Sequence, residues 1–570
     1  MTYIDWIILI LFLAYTIWDG VRRTKETSDI SGFFLAGRTM PWWAMGLSVM
    51  ATQASAITFI GTTGQAYVED MRFVQTYLGL PFAMVILCLT IVPYYYKRNT
   101  FTAYQILEER FGLSTRLTTS LLFLFSRGLA LGTVIAAPSY VLSLLFEWEL
   151  WSTILIIGTI ATLYTMVGGI TGVIMTDVKQ MAIMFFGILF SFFWIWHKLS
   201  DDIGGMGEAL TLAGALGKTQ SFDLTFDISE KYNVWSGVIA GLFLMLSYFG
   251  TDQTQVQRYL TAKSLKDARG SLLLSAFAKV PMQFVILLLG VMLYVFYIFH
   301  QPPVTFREAV TDQTEQQMEF NRQHEERRTL ALDFLSSTED DQSRQKFIAA
   351  DTEVNAVRAN EIERQRIEST GNINDTNYIF PFFILNEIPI GVTGLLIAAI
   401  FAAALSSIDS ELNALSTVSV VDWYKRLRKK EMSRSHYLFV SRSATVFWGI
   451  LATGSAIALG ETDSIIELVN QIGSYFYGSI LGVFILLYFV KKSRGIGALL
   501  GLAAGMTTVF ALDCLYIGSG GTFEFYLPSI FAPQQDITDG FSKAIEYLWL
   551  NPVGAGVVVF TGWIHGLIKG

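Results

Sequence analysis

Four polar side chains recur at three- and four-residue spacing inside one membrane-length apolar stretch. In LLIAAIFAAALSSIDSELNALSTVSVVD, residues 395–422, they are Ser406, Asp409, Ser410 and Asn413. On a helix these positions share one face. A carboxylate at the membrane centre costs roughly 2.5–3.5 kcal/mol on insertion scales, so Asp409 should face the protein interior and find a cation or donor. Hydroxyl and carboxylate oxygens without Cys or His suit a small hard cation. A helix-packing seam of serines is the alternative, and the aspartate argues against it.

A second apolar stretch, GLSVMATQASAITFIGTTGQAY at residues 46–67, is polar at its centre. Gln53, Ser55 and Thr58 lie there, and glycines follow at 61 and 64. This composition predicts an unwound helix whose free backbone carbonyls could bind an ion or a solute. Ordinary hydrogen bonding between helices is the alternative.

Two charged residues lie deep in other apolar stretches. Asp177 is in GGITGVIMTDVKQ, where the membrane should make a second carboxylate expensive. Arg127, in LFLFSRGLALGT, is about ten residues from the nearer end of its stretch. At that depth an arginine does not snorkel easily, so it must pair with a protein group or with an anionic ligand.

The composition identifies the class of protein that positions these residues. Of 570 residues, 52% are hydrophobic and only 15% charged, which is typical of a polytopic helical membrane protein. The net charge of -8 arises mainly from one long acidic loop, so no nucleic-acid partner is indicated. Cys88 and Cys514 both lie in apolar stretches and support neither a disulfide framework nor a cysteine metal site. Without an HExxH or GxSxG motif, no catalytic residue is assigned and no enzyme is predicted.

Hydropathy predicts an all-α protein with about 13 transmembrane helices. Basic residues between the spans fall on one side once the spans alternate, which makes that side cytoplasmic and the amino terminus external. The carboxy terminus is then cytoplasmic, in a plasma (cell inner) membrane. The predicted spans are 4–20, 41–66, 74–96, 117–146, 150–168, 171–198, 234–256, 271–299, 389–423, 438–459, 464–490, 495–518 and 548–568.

The segment 300–378 is the one long polar insertion, and it is placed outside the cell. Residues 311–335 and 343–368 carry sparse apolar residues at helical spacing, interrupted by SSTEDD. This pattern favours a helical hairpin, and a disordered acidic loop is the alternative.

Three runs, in this order, resemble the sodium/solute symporter family, which includes sodium/galactose, sodium/proline and sodium/sialic acid symporters. They are TLYTMVGGITGVIMTDVKQ, DQTQVQRYLTAKSLKDAR and AAALSSIDSELNALSTVSVVDWYK. The resemblance extends from span one to about span twelve and implies a LeuT-type fold in a single domain, 1–570. That fold has a leading helix at 4–20, inverted five-helix repeats at 41–198 and 234–490, and two trailing helices within 495–568. The insertion 300–378 interrupts the second repeat.

The resemblance also implies two ion sites. The first sodium site would use the backbone of Ala51, Ala54 and Ala403 and the hydroxyls of Ser406 and Ser407. A possible second sodium site, present in some family members, would use Asp177, Asp409 and Ser410. Serine is expected at position 409, so the aspartate either strengthens a sodium site or binds a proton, and both readings stay open.

The substrate residues implied by the resemblance are Ser55, Thr58, Gln75 and Arg127, which look like the carboxylate- and hydroxyl-binding set of the sialic acid symporter. Gln53, at the polar centre of the same span as Ser55, is added to them. Thr58 stands where the galactose symporter has a sugar-binding Gln, which argues against a galactose-like pocket. Tyr248 is similar to the inner-gate tyrosine of the sugar members.

The expected function is sodium-coupled import of a small polar solute by alternating access, with an anionic sugar such as sialic acid as the best candidate. A neutral sugar or a small carboxylate is the alternative solute. A membrane sensor with the same fold and a sodium-permeable channel are alternatives from other classes. Sodium is the only cofactor expected, and the partners expected are the solute, sodium and the lipid bilayer, with no obligatory protein partner.

Overall fold

The architecture comes from a computed structural model that describes residues 1–22, 29–307, 315–368, 375–428, 430–459, 465–518, 522–527 and 541–568. Helices dominate these residues. They are α1 Tyr3–Arg22, α2 Ile30–Leu35, α3 Trp42–Gln53, α4 Ala56–Val68, α5 Leu80–Leu89, α6 Ile91–Arg98, α7 Gln105–Phe111, α8 Leu113–Phe146, α9 Leu150–Ile203, α10 Met206–Ala215, α11 Gly241–Gly250, α12 Gln253–Leu260, α13 Leu265–Phe299, α14 Glu315–Ser336, α15 Asp341–Glu368, α16 Ile379–Asn386, α17 Val392–Val418, α18 Lys425–Leu427, α19 Arg434–Leu459, α20 Ile465–Phe489, α21 Gly495–Asp513 and α22 Leu550–Ile568. Between α21 and α22 the chain forms a small antiparallel sheet of order β2-β1-β3, from β1 Leu515–Gly518, β2 Phe523–Phe525 and β3 Phe541–Lys543.

Within the described residues, nine helices are long and apolar enough to cross a membrane, and the bent pair α3–α4 makes ten. The difference from thirteen predicted spans has identifiable sources. Helix α9 is one run of 54 residues that covers two predicted spans and breaks at Gly169, where φ is 57°. At 1.5 Å per residue it is about 80 Å long, far more than the roughly 30 Å hydrocarbon core. Tyr3–Thr16 and Ser236–Gly250 are apolar but short. The count of thirteen stays a prediction.

The first helix of each predicted repeat is interrupted near its middle. Helices α3 and α4 meet at a 52° bend, and the residue between them that precedes α4, Ser55, is extended with φ −67° and ψ 171°. Helices α11 and α12 are separated at Thr251 and Asp252, and the Asp252 carboxylate accepts a hydrogen bond from Thr254 N at 2.8 Å to cap α12. The unwound point expected in residues 46–67 is therefore present. No equivalent break is predicted in residues 234–256.

Helix α17 lies at the centre of the bundle, packed against α3, α4, α8, α9 and α12. The leading helix α1 holds the amino-terminal end of α17, because the Asp5 carboxylate accepts hydrogen bonds from Gly391 N at 2.7 Å and Gly394 N at 3.0 Å. Acidic groups at this end also complement the helix dipole. A Cβ on Gly394 would lie 2.5 Å from the Asp5 backbone, so the approach of α1 requires glycine there.

The polar insertion contains two helices, α14 and α15, which pack against each other and against the end of α13. Arg327 donates to the Tyr297 carbonyl at 2.9 Å and pairs with Asp351 at 3.2 Å, and the Tyr294 hydroxyl donates to Asp351 at 2.7 Å. His324 Nε2 lies 2.9 Å from the same Tyr297 carbonyl, and burial lowers the pKa of His324 to about 4, so the ring is neutral. The described part of the insertion is thus a docked helical hairpin.

Candidate functional site

A cavity of about 120 Å³ opens beside the two helix breaks. Its walls come from the α3–α4 break, α8, α11, α17 and α20, the elements that a broken first helix leaves facing one another. The lining residues are Thr52, Gln53, Ser55, Thr58, Tyr77, Arg127, Val134, Leu244, Met245, Tyr248, Ser407, Glu411, Val469, Asn470 and Tyr477.

The structure brings together four of the five residues expected to bind substrate. Gln53, Ser55, Thr58 and Arg127 line the cavity, and so does Tyr248, the expected gate residue. The exception, Gln75, does not line the cavity.

Gln75 lies outside the cavity lining, and its role in substrate binding stays a prediction. Its side chain donates to the Tyr232 carbonyl at 3.1 Å and accepts from Asp223 N at 3.1 Å, so it fixes a loop instead of facing the cavity. Gln75 belongs to the 3₁₀ turn Arg72–Tyr77, and Tyr77 is the residue of that turn that reaches the cavity. Sequence spacing cannot determine which side of such a short turn faces a neighbouring space.

Arg127 is paired with two protein carboxylates. Its Nε donates to Asp252 at 2.6 Å and its Nη1 donates to Glu411 at 3.0 Å. The guanidinium carbon also lies 5.1 Å from the Tyr248 ring centroid and 5.5 Å from that of Tyr477, within cation–π range. Of the two partners left open by the sequence, a protein group is the one observed. The signal that could have found Glu411 is its position four residues after Ser407, on the same helical face.

The expected first sodium site lies where α17 passes the α3–α4 break. Ala51, Ala54 and Ala403 are fully buried there. The Ser407 hydroxyl is 3.4 Å from the Thr52 carbonyl and 3.4 Å from the Ala403 carbonyl. Ser407 also lines the cavity, so the ion site and the cavity share a wall.

The expected second sodium site is a buried cluster next to the first. Asp177 accepts hydrogen bonds from Ser406 and from Ser48, the latter at 2.5 Å. Asp409 Oδ1 accepts from Ser410 at 3.2 Å, while Asp409 Oδ2 has no hydrogen-bond partner in the part of the chain that the structure describes. Ser406 therefore links the two expected sites.

An arginine that the sequence analysis missed completes this cluster. Arg258, on α12, is fully buried and donates to Ser48 at 3.0 Å and to Ser410, and its Nη2 lies 3.6 Å from Asp177. The cluster thus holds two carboxylates and one guanidinium, and of the two carboxylates it is Asp177 that lies within ion-pair distance of Arg258. When both are ionised, one negative charge is left that a bound cation could balance.

The family follows from comparison with known proteins. Residues 33–322 and 365–505 match the model of the sodium:solute symporter family. The chain belongs to this family. The matched regions leave out residues 323–364, so most of the α14–α15 hairpin is outside the family's common sequence.

Relatives of this symporter cover most of its length. It is 26% identical to the sodium-dependent multivitamin transporter of Oryctolagus cuniculus, over 100% of this chain and 82% of that one. It is 28% identical to the sodium/sialic acid symporter SiaT of Proteus mirabilis (strain HI4320), over 92% of both chains.

The fold of the symporter is also that of a solved structure. A substrate-bound, outward-open Na⁺-coupled sialic acid symporter, described as having a novel Na⁺ site, matches with a TM-score of 0.74 at 24% identity. The match covers 100% of this chain and 98% of that one. The expected helical, LeuT-type architecture of a multi-pass membrane transporter is thereby confirmed, and the small β-sheet between α21 and α22 is an addition that the sequence analysis did not predict.

Proposed function

We propose that this symporter couples inward sodium flow to the uptake of a small solute that carries a carboxylate, with sialic acid as the leading candidate. The observation that carries the proposal is the cavity at the helix breaks, which contains a buried arginine and shares Ser407 with the expected sodium site. We place the symporter in the plasma membrane with its amino terminus outside and the α14–α15 hairpin on the external face.

Coupling in this proposal needs no covalent chemistry. Sodium held by the hydroxyls of Ser406 and Ser407 and by backbone oxygens of Ala51, Ala54 and Ala403 would fix the α3–α4 break against α17. That fixed break forms one wall of the cavity, so sodium favours the solute-binding arrangement. The effect is a coupling free energy between two sites. By linkage, bound solute raises the affinity for sodium by the same factor as sodium raises the affinity for solute.

A second cation would bind at Asp177, Asp409 and Ser410. The support is the excess of carboxylates over arginine in that cluster, together with the unpartnered Asp409 Oδ2 among the described atoms. A proton on Asp409 would balance the same charge, and the two ions differ in the pH dependence they give to transport.

Two features support a carboxylate-bearing solute. SiaT and the solved symporter that resembles this chain are both named for sialic acid. The Arg127 guanidinium has five N–H donors, and only some of them are directed to Asp252 and Glu411. The others remain available for a planar carboxylate. A small carboxylate or a neutral sugar is the alternative.

The proposal is tested by sodium-dependent uptake into proteoliposomes, with competition by sialic acid, small carboxylates and neutral sugars, in wild type and Arg127→Lys. A lysine cannot reproduce the planar pair of donors, so we expect Arg127→Lys to lose most of the solute affinity. Sodium-induced thermal stabilisation without solute should survive in the same variant. Saturable uptake of a neutral sugar that no carboxylate inhibits would overturn the carboxylate proposal.

A further inference from the structure

The cavity has an acidic pole, formed by Glu411 in its wall and by Asp252, the other acid that pairs with Arg127. Glu411 is 5% exposed, and only its Oε1 is used, as the acceptor for Arg127 at 3.0 Å. Glu411 Oε2 is buried without a hydrogen-bond partner among the described residues. The other acid, Asp252, is different, because its two oxygens accept from Arg127 and from Thr254 N.

The charges at this pole do not balance. When both acids are ionised, Arg127 carries one positive charge against the two negative charges of Asp252 and Glu411, and all three side chains are at most 6% exposed. The next cation, Arg258, makes its contacts with Ser48, Ser410 and Asp177. A purely anionic solute would therefore add to this local excess, which only the sodium ion expected beside Ser407 would offset.

Two buried acceptor atoms of the cavity also favour a solute that carries a hydrogen-bond donor. Besides Glu411 Oε2, the Gln53 Oε1 atom is buried and lacks a partner within the described ranges. Both atoms are acceptors, and buried acceptors are satisfied by donors. The tyrosine rings of Tyr248 and Tyr477, which already flank the Arg127 guanidinium, favour positive charge nearby.

We propose that Glu411 receives a protonated amine of the solute, so that the transported molecule is a small zwitterion. The solute carboxylate takes the remaining N–H donors of Arg127, and the solute ammonium donates to Glu411 Oε2. Such a solute adds no net charge to the cavity. The inference rests on the proposed function, from which it takes the solute carboxylate bound by Arg127. It adds the solute ammonium as the second group that the site recognises.

The test uses four probes that differ in one group or in size. Alanine, lactate and propionate share a three-carbon carboxylate skeleton with an ammonium, a hydroxyl or a hydrogen at the second carbon, and sialic acid is the larger, hydroxyl-rich acid. Binding is measured by calorimetry and by thermal shift on the purified full-length protein, with and without sodium. The variants are Glu411→Gln, Glu411→Asp and Glu109→Gln. Glu109 is the control, since it pairs with Arg98 at 2.7 Å on an exposed surface.

We expect wild type and Glu109→Gln to bind alanine at least tenfold more tightly than propionate, with lactate between them. Glu411→Gln keeps the shape of the side chain and removes its charge, so this ratio should fall to near one, whereas Glu411→Asp should keep a preference for alanine. If Glu411→Gln does not fold, the wild-type ratio decides.

Sodium-dependent binding of sialic acid or propionate without binding of alanine would overturn the inference and leave the proposed function standing. An alanine-to-propionate ratio that is the same in wild type and Glu411→Gln would also overturn it. If none of the four carboxylates binds in sodium, the proposed function falls as well.

Discussion

Ser407 lies where the cavity and the expected first sodium site meet, so its hydroxyl should influence sodium affinity directly. Ser407→Ala removes one of the roughly five oxygen ligands that the site is expected to provide, and Ser406→Ala removes another. We expect each variant to fold and to need about tenfold more sodium for half-maximal uptake, a cost of about 1.4 kcal/mol. The measurement is a sodium titration of solute uptake or of thermal stability.

Ser416→Ala is the matched control for these variants. Ser416 is on the same helix, but its hydroxyl donates to the Ser441 carbonyl at 2.8 Å and lies outside the expected ion site. Sodium dependence that is unchanged in both Ser406→Ala and Ser407→Ala would show that the assignment of the first site is wrong.

Asp177 and Asp409 should determine how many cations accompany each solute. If they share an additional sodium ion, Asp177→Asn and Asp409→Asn remove the negative charge that holds it, and the Hill coefficient for sodium should fall from near two to near one. The charge moved per solute, recorded electrically, should fall in parallel. An unchanged stoichiometry in both variants would assign the carboxylates a structural role. A change in pH dependence in Asp409→Asn, with sodium stoichiometry unaffected, would identify a proton at Asp409.

Among the site residues, the sequence could predict relationships within one helix but not contacts between helices. The helical spacing of Ser406, Asp409 and Ser410 correctly predicted a buried polar face, because that spacing is local. Glu411 and Arg258 went unrecognised because their roles depend on α8 and α9, which are far away in sequence. The pairing of Arg127 was left open for the same reason, since the sequence shows a buried charge without showing what it faces.

The two helix breaks differ in how visible they are in the sequence. In residues 46–67, polar residues and glycines interrupt an apolar stretch, and the break at Ser55 follows that pattern. The break at Thr251 and Asp252 sits at the end of its apolar stretch, where a polar residue also fits an ordinary helix end. The division of α9 at Gly169 was visible because the apolar run was too long for one span.

The docking of the α14–α15 hairpin should depend on one buried ion pair. The Arg327 and Asp351 side chains are only 4% and 10% exposed. Arg327→Ala leaves the Asp351 carboxylate buried without its arginine, which should destabilise the protein by roughly 3 kcal/mol. The check is thermal unfolding of the detergent-solubilised protein, followed by a probe on the hairpin.

Arg322→Ala, on the same helix, is the control. Arg322 pairs with Glu319 on an exposed surface, with side chains 70% and 42% exposed, so its loss should leave stability close to that of the wild type. Equal effects of the two variants would mean that the hairpin is not held by the buried pair. Its docking could not be predicted from sequence, because the pattern showed helices but not their contact with Tyr294 and Tyr297.

Lys218 should make stability depend on alkaline pH. Its amine donates to the Tyr67 and Val68 carbonyls at the end of α4, both at 2.7 Å, and burial lowers its pKa from 10.5 to about 8. Between pH 8 and 10.5 the unfolded chain holds a proton that the folded protein has lost, so this residue's contribution to stability rises with pH across that window. The rise should be on the order of 3 kcal/mol. Unfolding curves of wild type and Lys218→Met, measured from pH 7 to 10, should diverge in that direction, and parallel curves would contradict the assignment.

For the whole molecule, the membrane potential should set the limit of solute accumulation. Each net charge moved across 100 mV supplies about 2.3 kcal/mol, equivalent to roughly fifty-fold accumulation. Two sodium ions with an anion move one net charge, and two sodium ions with a zwitterion move two, so the steepness of the dependence reports both solute charge and ion number. We expect this dependence in proteoliposomes with an imposed potassium diffusion potential. Accumulation that does not change with potential would contradict net charge movement.

The hairpin docked on the end of α13 also provides a site for a fluorescent label that reports conformational change. Met318 on α14 is 55% exposed, while the two native cysteines, Cys88 and Cys514, are buried. A dye attached to Met318→Cys would therefore label one position, outside the apolar layer and far along the chain from the cavity residues. Because the hairpin is fastened to Tyr294 and Tyr297, the dye would follow the tilt of α13. The insertion thus provides an attachment point for a fluorescent reporter that follows α13 during single transport cycles.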